Sequence, residues 1–374
     1  MRILYFSRDY TTHDHRFLSA LAQTDHKVYY LRLEKGPHEL ENRPLPLEIT
    51  QVEWIGGKKP ATFYAGLRLL SDLRRVIQQV KPDLIHAGPL QRSAFLVALT
   101  GFHPLVSMSW GYDLLHDARI NLFWRWATSY TLGQSSAMVG DCNTIRQLAI
   151  SFGMADERII TFPWGVDIHH FNVPTLAGND RSLIDERSNV QTFNLLSTRG
   201  FEPIYGVDVI ARAFVIAAHK HPDLHLTMLG NGSQAAVIRQ IFLVGGVFDR
   251  VHFPGQVTYS DLPGYYRSTD VYVSASHSDG TSISLLEAFA CGVPAIVSDI
   301  PGNREWVISG ENGWLFPDGD VEALASVILN AVDQPQKLPE MGRKARKLAE
   351  ERADWDKNFL QLEKAYALAS GQSI

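Results

Sequence analysis

Strand patterns and helix patterns alternate along this chain in two successive runs. The first run comprises Ile3–Phe6, Phe17–Ala22, Val28–Leu33, Leu67–Val80 and Leu84–His86, and strands at Pro104–Ser109 and Ala137–Val139 continue it. The second run comprises Phe193–Ser197, Val207–His219, His225–Leu229, Val251–Phe253 and Val271–Ser274. Such alternation predicts parallel sheets with helices on both faces. Because 374 residues exceed the size of one ordinary core, we expect two α/β domains.

A polar stretch with little periodicity separates the two runs, from Val173 to Gln191. Such a stretch is typical of a linker. We therefore predict an N-terminal Rossmann-like domain over residues 1–175 and a C-terminal one over residues 176–350. Helical patterns follow at Val321–Val332, Leu338–Arg352 and Trp355–Ala369. We expect residues 351–374 to form a separate C-terminal helical segment.

Composition argues against several classes of function. The formal charge of −5 and the absence of a basic run interleaved with aromatic residues disfavour nucleic-acid binding. Cys142 and Cys291 form no CxxC pair, so neither a disulfide framework nor a thiolate zinc site is indicated. The N-terminal MRILYFSRDY enters a strand without a basic and apolar leader, and no apolar run has the length to cross a bilayer. We expect a cytoplasmic protein.

The stretch from Val271 to Asp299 carries the chemistry that we consider central. It has the pattern of a strand, a glycine-bearing turn, a helix and a second strand, and Thr281 or Ser282 could cap the helix. Glu287 stands beside the apolar stripe of this helix, where a carboxylate needs hydrogen-bond donors such as a ribose diol. The backbone N–H groups of residues 280–283 and the helix dipole form a natural seat for phosphate. The pattern therefore predicts a nucleotide-sugar pocket.

Asp279, seven further residues and the segment EAFACGVP that begins at Glu287 resemble the signature of the retaining family 4 glycosyltransferases. That family usually has Glu where Asp279 stands. The resemblance implies the GT-B fold, with two facing Rossmann-like domains, the acceptor held by the first and the donor by the second. It also implies that the last helix returns to the first domain. The implied reaction is sugar transfer from a nucleotide donor to a hydroxyl with retention and without a divalent metal or a cofactor.

The resemblance assigns further donor-binding residues. Arg199 falls on the arginine that the family directs at the donor diphosphate, which suits the two-pronged guanidinium. Tyr205 stands where the family usually has lysine, so one cation is missing, and Arg304 or His277 could replace it. The remaining donor-side assignments are Gly230, Gly232, Val257, Asp279, Gly280, Thr281, Ser282 and Glu287, of which Asp279 would meet the donor sugar and join Arg199 in catalysis. We expect UDP-sugar as the donor, with GDP-sugar as the alternative.

Polar residues at the carboxyl ends of the first-half strands mark the expected acceptor side, because ligands of parallel sheets bind at this edge. Arg8 and Asp9 follow the first strand, in a loop that lacks the GxGxxG of a dehydrogenase. Trp110 stands where the family often has histidine, and either a substrate contact or simple packing would explain it. Asp113 could accept a bond from a substrate hydroxyl or cap the next helix. The implied acceptor is a glycan, a lipid-linked molecule or a small molecule.

Some patterns admit a second interpretation. Asp318 and Asp320 are spaced like a metal-binding Asp-x-Asp, but Asp320 immediately precedes a helix and suits an N-cap. The histidine pairs lack companions at ligand spacing, so we predict no metal site. A catalytically degenerate nucleotide-sugar binding module is the alternative function, because the lysine is missing at Tyr205.

Basic residues cluster in the first half at Lys58, Lys59, Arg68, Arg74, Arg75 and Lys81, and the sequence Trp124-Arg125-Trp126 lies further on. Basic helices with nearby tryptophans can lie on anionic membranes. Peripheral membrane contact through the N-terminal domain is therefore one interpretation, and a solvent-facing charged helix is the other.

Overall fold

The computed structural model describes residues 1–36, 41–58, 65–173 and 192–372. Its contacts divide the chain into two compact units. The first unit comprises Met1–Phe162 and Phe359–Ile374, and the second comprises Pro163–Asn358. Of the predicted linker, residues 174–191 lie outside the described part of the chain.

The division falls at residue 162, ahead of the predicted boundary at 175. The segment after Phe162 packs on the second unit because its backbone is bound there. Val166 forms a β-bridge with Asp354, and the guanidinium of Arg346 bonds to the carbonyls of Ile168 and Phe171.

The first unit holds a parallel sheet with strand order β3-β2-β1-β4-β5-β6-β7. Its strands are β1 (Arg2–Ser7), β2 (Lys27–Arg32), β3 (Thr50–Gln51), β4 (Leu84–Gly88), β5 (Leu105–Met108), β6 (Ala137–Gly140) and β7 (Ile159–Thr161). Its helices are α1 (Thr12–Leu21), α2 (Gly66–Val80), α3 (Ser93–Thr100), α4 (Tyr112–Leu115), α5 (Leu122–Gln134) and α6 (Asn143–Ser151).

The second unit holds a parallel sheet with strand order β10-β9-β8-β11-β12-β13. Its strands are β8 (Phe193–Ser197), β9 (Leu224–Leu229), β10 (Val251–Gly255), β11 (Val271–Ser274), β12 (Ala295–Ser298) and β13 (Gly313–Phe316). Its helices are α7 (Val207–Lys220), α8 (Ala235–Val244), α9 (Leu262–Arg267), α10 (Ile283–Ala290), α11 (Pro301–Arg304), α12 (Val321–Val332) and α13 (Leu338–Arg352). The predicted pair of parallel α/β sheets is confirmed.

Apolar residues cover both faces of the second sheet. One buried cluster contains Phe214 of α7, Phe242 of α8 and Phe316 of β13. A different cluster contains Phe289 of α10 and Ala345 of α13. The central strand β11 (VYVS) and its neighbour β12 (AIVS) are therefore buried along their whole length, as expected when both faces of a sheet are covered.

Helix α1 begins earlier than the predicted Phe17 because of its cap. The Thr11 side chain accepts the Asp14 N–H, and the Asp14 side chain accepts the Thr11 N–H, which completes a capping box. The apolar spacing that begins at Phe17 reflects only the buried apolar residues of this helix, and it therefore did not predict the first turn.

The last helix, α14 (Trp355–Ala369), begins in the second unit and continues into the first from Phe359. There Tyr366 Oη lies 2.8 Å from His86 Nδ1, and Glu363 Oε2 lies 2.9 Å from His26 Nε2. Among the described residues, no helix combines the length and the apolar character that crossing a bilayer requires.

Candidate functional site

The strand order of the second sheet reverses between β8 and β11, which are neighbouring parallel strands. Connections from these two strands run in opposite directions and leave a crevice at their carboxyl ends, where ligands of open α/β sheets bind. Arg199 follows β8, and Asp279 follows β11. The topology therefore brings together two residues that are far apart in the sequence.

The guanidinium of Arg199 is the centre of this crevice. Its Nη2 lies 2.7 Å from Asp279 Oδ2, and its Nη1 lies 3.1 Å from Ser282 Oγ and 3.2 Å from Ser284 Oγ. Three residues predicted for the donor site, Arg199, Asp279 and Ser282, thus converge. Ser284 was not predicted. Its position two residues after Ser282, at the start of a helix, was the signal available in the sequence.

Tyr205 covers the face of the same guanidinium. The Arg199 Cζ atom lies 4.1 Å from the centre of the Tyr205 ring, within the range of a cation–π interaction. Gly206 fixes this arrangement, since its φ is +56° and a Cβ there would lie 2.1 Å from the Ala275 carbonyl oxygen. The residue that replaces the family's lysine therefore supports the remaining cation.

The charge of Arg199 is maintained inside the protein. Burial by itself lowers the pKa of this guanidinium, but the adjacent Asp279 carboxylate raises it, and the net pKa lies above the ordinary value. The buried Nε atom of Arg199 has no hydrogen-bond partner among the described residues. A permanent cation with a spare donor suits an anionic ligand.

Glu287 lies one helical turn into α10 and is 8% exposed. Tyr266 Oη donates to Glu287 Oε2 over 2.8 Å, and the same hydroxyl lies 3.1 Å from Thr198 Oγ1. Burial and then the Glu287 charge raise the pKa of Tyr266 well above its usual range, so the phenol keeps its proton. The sequence predicted that the Glu287 carboxylate needs hydrogen-bond donors, but it did not indicate Tyr266 as one of them.

The start of α10 differs from the predicted capping. Ser282 occupies the N-cap position, but its side chain makes no capping bond. Its hydroxyl contacts Arg199 and Ser284 instead. Gly302 of α11 packs closely against the preceding turn, and a Cβ at this position would lie 2.1 Å from the Gly280 carbonyl oxygen. Thr281, in the same turn, is buried.

The glycine turn after β9 packs against the Arg199 loop. A Cβ at Gly230 would lie 3.2 Å from the Arg199 carbonyl oxygen, and one at Gly232 would lie 2.5 Å from the Phe201 carbonyl oxygen. The turn amides have acceptors within the protein, since Gly230 N–H bonds to Gly255 O over 2.8 Å and Gly232 N–H bonds to Asn231 Oδ1 over 2.9 Å. The glycines thus permit close backbone packing, and their phosphate-binding role stays a prediction.

Both candidates for the missing cation are paired with carboxylates. Arg304 Nε lies 2.5 Å from Asp299 Oδ1, and His277 Nδ1 lies 2.7 Å from Asp318 Oδ1. The Asp299 carboxylate raises the pKa of Arg304, which remains a cation. Either residue would have to leave its carboxylate in order to bind a ligand.

The remaining donor-side assignments concern Val257 and the Asp-x-Asp pair. Val257 lies beyond β10 and is partly buried against the apolar cluster around α10. Asp320 is the N-cap of α12 and accepts the Ala323 N–H over 2.9 Å, so the capping interpretation is confirmed. Within the described ranges, no three His, Cys, Asp or Glu side chains are grouped to hold a metal ion.

Residues predicted for the acceptor side lie at strand ends of the first unit, and several are engaged locally. Arg8 Nε bonds to Glu34. Asp9 accepts the N–H groups of Tyr10 over 2.7 Å and Gly36 over 2.8 Å. The ring centre of Trp110 lies 5.5 Å from that of His13. Packing accounts for Trp110 within this unit, and its contact with an acceptor stays a prediction.

Asp113 is not the N-cap of α4, a position that Gly111 occupies, but it lies in the first turn of that helix. Its carboxylate accepts the Leu114 N–H in this turn over 3.0 Å, and also the Ser109 hydroxyl over 2.5 Å and the Leu90 N–H over 3.0 Å. Asp113 is 3% exposed, and burial raises its pKa to about 6 against the opposing effect of these bonds. The carboxylate thus joins two loops of the first unit, and its role in binding a substrate hydroxyl stays a prediction.

Two family models match the chain. The model described as Glycosyl transferases group 1 matches residues 181–348. The model described as Glycosyltransferase Family 4 matches residues 11–170. The two matches together extend over most of both units.

Two curated relatives match part of this chain. The GtfA subunit of a UDP-N-acetylglucosamine–peptide N-acetylglucosaminyltransferase from Streptococcus pneumoniae is 31% identical over 142 residues, 37% of this chain and 27% of the relative. A D-inositol 3-phosphate glycosyltransferase from Pseudarthrobacter chlorophenolicus is 27% identical over 217 residues, 57% of this chain and 51% of the relative. The chain thus spans about a quarter of the first relative and about half of the second.

The fold is similar to that of Anabaena HepE in a crystal structure with UDP. The TM-score is 0.79 at 19% sequence identity, and the match covers 98% of this chain and 100% of that chain. At this level of identity, the comparison bears on the fold alone.

Proposed function

Because this chain belongs to glycosyltransferase family 4 and has the predicted GT-B fold, we propose that it transfers a sugar from a nucleotide-sugar donor to a hydroxyl acceptor with retention at the anomeric carbon. The observation that carries this proposal is the convergence of Arg199, Asp279 and Ser282 at the reversal point of the second sheet. Glu287 lies on the helix that starts at this point.

In the proposed donor complex, Arg199 binds the diphosphate. Its fork now rests on one carboxylate and two hydroxyls, which are acceptors that phosphate oxygens can supplement or replace. The start of α10 adds the positive end of a helix dipole. These groups would stabilise the charge that develops on the leaving nucleoside diphosphate.

Glu287 would accept the ribose hydroxyls, with Tyr266 holding one carboxylate oxygen. Asp279 would meet the donor sugar from its place beside Arg199. In the transfer step, the bond between the anomeric carbon and the phosphate oxygen breaks and a bond to the acceptor oxygen forms on the same face. The acceptor proton passes to the leaving phosphate, so that no protein nucleophile, metal or cofactor is required.

UDP-sugar is the favoured donor. This choice is supported by the pneumococcal GtfA subunit, which is 31% identical over 142 residues and whose name gives UDP-N-acetylglucosamine as the donor. We propose a glycan, lipid-linked or small-molecule hydroxyl as the acceptor, in cell-surface polysaccharide or glycoconjugate synthesis in the cytoplasm. A lipid-linked acceptor would bring the first unit to a membrane surface.

The alternative is a binding module that holds a nucleotide sugar without transferring it. Tyr205 favours this alternative, because it supplies no second positive charge beside Arg199. The intact set of Arg199, Asp279 and Glu287 favours the enzyme.

A thermal-shift screen of nucleotide sugars with and without EDTA tests the donor site, because a ligand that binds only the native state raises the melting temperature. We expect one UDP-sugar to stabilise the protein equally in both conditions. Glu287→Gln should lose this shift, and Glu322→Gln on the exposed surface of the same unit should keep it. Proton NMR of the product would then show whether the anomeric configuration is retained. Absence of any shift would reject the donor site, whereas a shift without donor turnover would favour the binding module.

A further inference from the structure

The N-terminal half of α5 presents large apolar side chains to solvent. Leu122 is 85% exposed, Phe123 is 46% exposed and Trp126 is 50% exposed. The helix itself is well formed, since Asn121 at its N-cap accepts the Trp124 N–H over 3.0 Å. These apolar side chains therefore project from a regular helix. Their exposure is a property of that helix and not of an irregular loop.

The three exposed residues share one side of the helix. Positions separated by three or four residues lie on the same face, and Trp126 is three residues after Phe123 and four after Leu122. The buried side of α5 consists of Ala127, Thr128, Thr131 and Leu132. The Trp126 ring centre lies 5.8 Å from that of Phe123 and 5.6 Å from that of Phe95 on α3. Leu122, Phe123 and Trp126, supported by Phe95, are here called the aromatic patch.

Two exposed arginines lie close to the aromatic patch along the chain. Arg119 precedes Leu122 by three residues, and Arg125 is on α5 itself, with its guanidinium 5.8 Å from the centre of the Phe152 ring. Helix α3 is in contact both with α5 and with the basic helix α2. Arg74 of α2 reaches the carbonyl of Leu99 at the end of α3 over 3.4 Å. The exposed arginines of α2 are Arg68, Arg74 and Arg75. The acidic groups nearby are Asp117, next to His116, and the buried Asp72, which pairs with Arg75.

We propose that the aromatic patch docks on the headgroup region of an anionic lipid bilayer. Tryptophan with leucine and phenylalanine on one side of a helix and arginine at its margin is the combination that enters a membrane interface. The surface potential of anionic lipid attracts the surrounding arginines. A second copy of the chain is a poorer occupant, because a two-fold contact through this patch would bring the two sets of arginines together.

The sequence based membrane contact on the basic cluster around α2 and on the segment Trp124-Arg125-Trp126, which belongs to α5. Lys59 of the basic cluster lies outside the described residues. The structure gives α2 the role of a positive flank and gives α5 the apolar contact. The inference does not depend on the transfer reaction, since lipid binding can be measured without donor or acceptor.

Vesicle flotation tests the docking surface with the full chain. Vesicles of phosphatidylcholine alone are compared with vesicles that contain about 30% phosphatidylglycerol, at low and high salt, because surface electrostatics weaken with salt. The patch variant is Leu122→Ser/Phe123→Ser/Trp126→Ser. The matched control is Val237→Ser/Leu243→Ser/Val244→Ser, which removes exposed apolar residues from α8 in the second unit. Arg119→Gln/Arg125→Gln tests the flanking charge.

We expect wild type and the α8 control to float with anionic vesicles and not with phosphatidylcholine alone. The patch variant should lose at least about tenfold in partitioning, and the arginine variant should lose several-fold together with its salt dependence. All variants should retain the wild-type circular dichroism and donor-induced thermal shift, which separates lost docking from lost folding and from a failed donor site. No flotation of wild type, or equal loss in the α8 control, would overturn the proposal. A wild-type dimer in light scattering that only the patch variant dissociates would overturn it in favour of a second copy.

Discussion

The Arg199 guanidinium lies 4.1 Å above the Tyr205 ring while its edge pairs with Asp279 over 2.7 Å. The two contacts hold the cation from its face and from its edge. The guanidinium is therefore preorganised before any ligand arrives. Tyr205 thus gives this site a positioning group at the position where the family resemblance predicts a lysine.

The ring of Tyr205 should matter for donor binding and its hydroxyl should not. Tyr205→Ala frees one face of Arg199 and is expected to weaken UDP binding by about fivefold, since a cation–π contact contributes about 1 kcal/mol. Tyr205→Phe keeps the ring and should bind like wild type. Titration calorimetry with UDP measures both variants. Equal weakening in Tyr205→Phe would show that the ring is not what holds Arg199.

Arg199→Lys should not preserve activity. Lysine keeps the charge but lacks the planar fork that reaches Asp279, Ser282 and Ser284 at once. We expect turnover to fall by about 100-fold or more, as for loss of one transition-state donor. Initial rates at saturating donor measure this effect. The control is Arg239→Lys, on the surface of α8 in the same unit, which should leave the rate unchanged.

Substitution of Glu287 should reduce kcat/KM more than substitution of its hydrogen-bond partner Tyr266. Glu287→Ala is expected to lower kcat/KM by about 100-fold, which corresponds to about 3 kcal/mol for a lost charged hydrogen-bond partner. Tyr266→Phe removes the protein's own donor to Glu287 and should lower it by about fivefold, or about 1 kcal/mol. Near-normal turnover in Glu287→Ala would reject the ribose assignment, and a full loss in Tyr266→Phe would indicate a larger role than positioning.

Gly302 tests the turn that precedes α10. A methyl group at this position would meet the Gly280 carbonyl oxygen at 2.1 Å and push the turn that carries Asp279. We expect Gly302→Ala to reduce transfer by at least about tenfold, since small misplacements in a site are costly. Gly264→Ala in α9, where a Cβ meets nothing within 4 Å, is the matched control and should keep full activity. Parallel melting curves would reveal whether Gly302→Ala acts only by unfolding.

His86 should make the first unit less stable in mild acid. Burial lowers the pKa of His86 from 6.5 to about 3, so the unfolded chain binds a proton between these values that the folded chain does not. Above pH 6.5 the ionisation of His86 does not reduce the free energy of unfolding. Below pH 6.5 the free energy of unfolding falls by about 1.4 kcal/mol per pH unit because of this group. Denaturant titrations between pH 7.5 and 4.5 should therefore show a smaller pH dependence in His86→Gln than in wild type. Identical slopes would contradict the buried neutral state of His86.

The sequence alone determined the parallel α/β architecture and one end of the site. Short strands rich in apolar residues and the helical periodicity between them report local burial, which needs no knowledge of distant contacts. Asp279 and Glu287 could be predicted as members of one turn and helix because only seven residues of chain separate them.

Tertiary structure decided which side chains meet. Ser284 was not foreseen as a partner of Arg199, nor Tyr266 as a partner of Glu287, because contacts across tens of residues depend on strand order and no local pattern encodes them. Tyr205 lies only six residues after Arg199, but its stacking on the guanidinium depends on how the chain turns between them. The contact between the Asp113 carboxylate and the Leu90 loop was unpredictable for the same reason, since the sequence position of Asp113 suggested only a helix cap. It also explains the aromatic patch on α5, since a helical sequence shows which residues share a face but not which face the rest of the chain leaves uncovered.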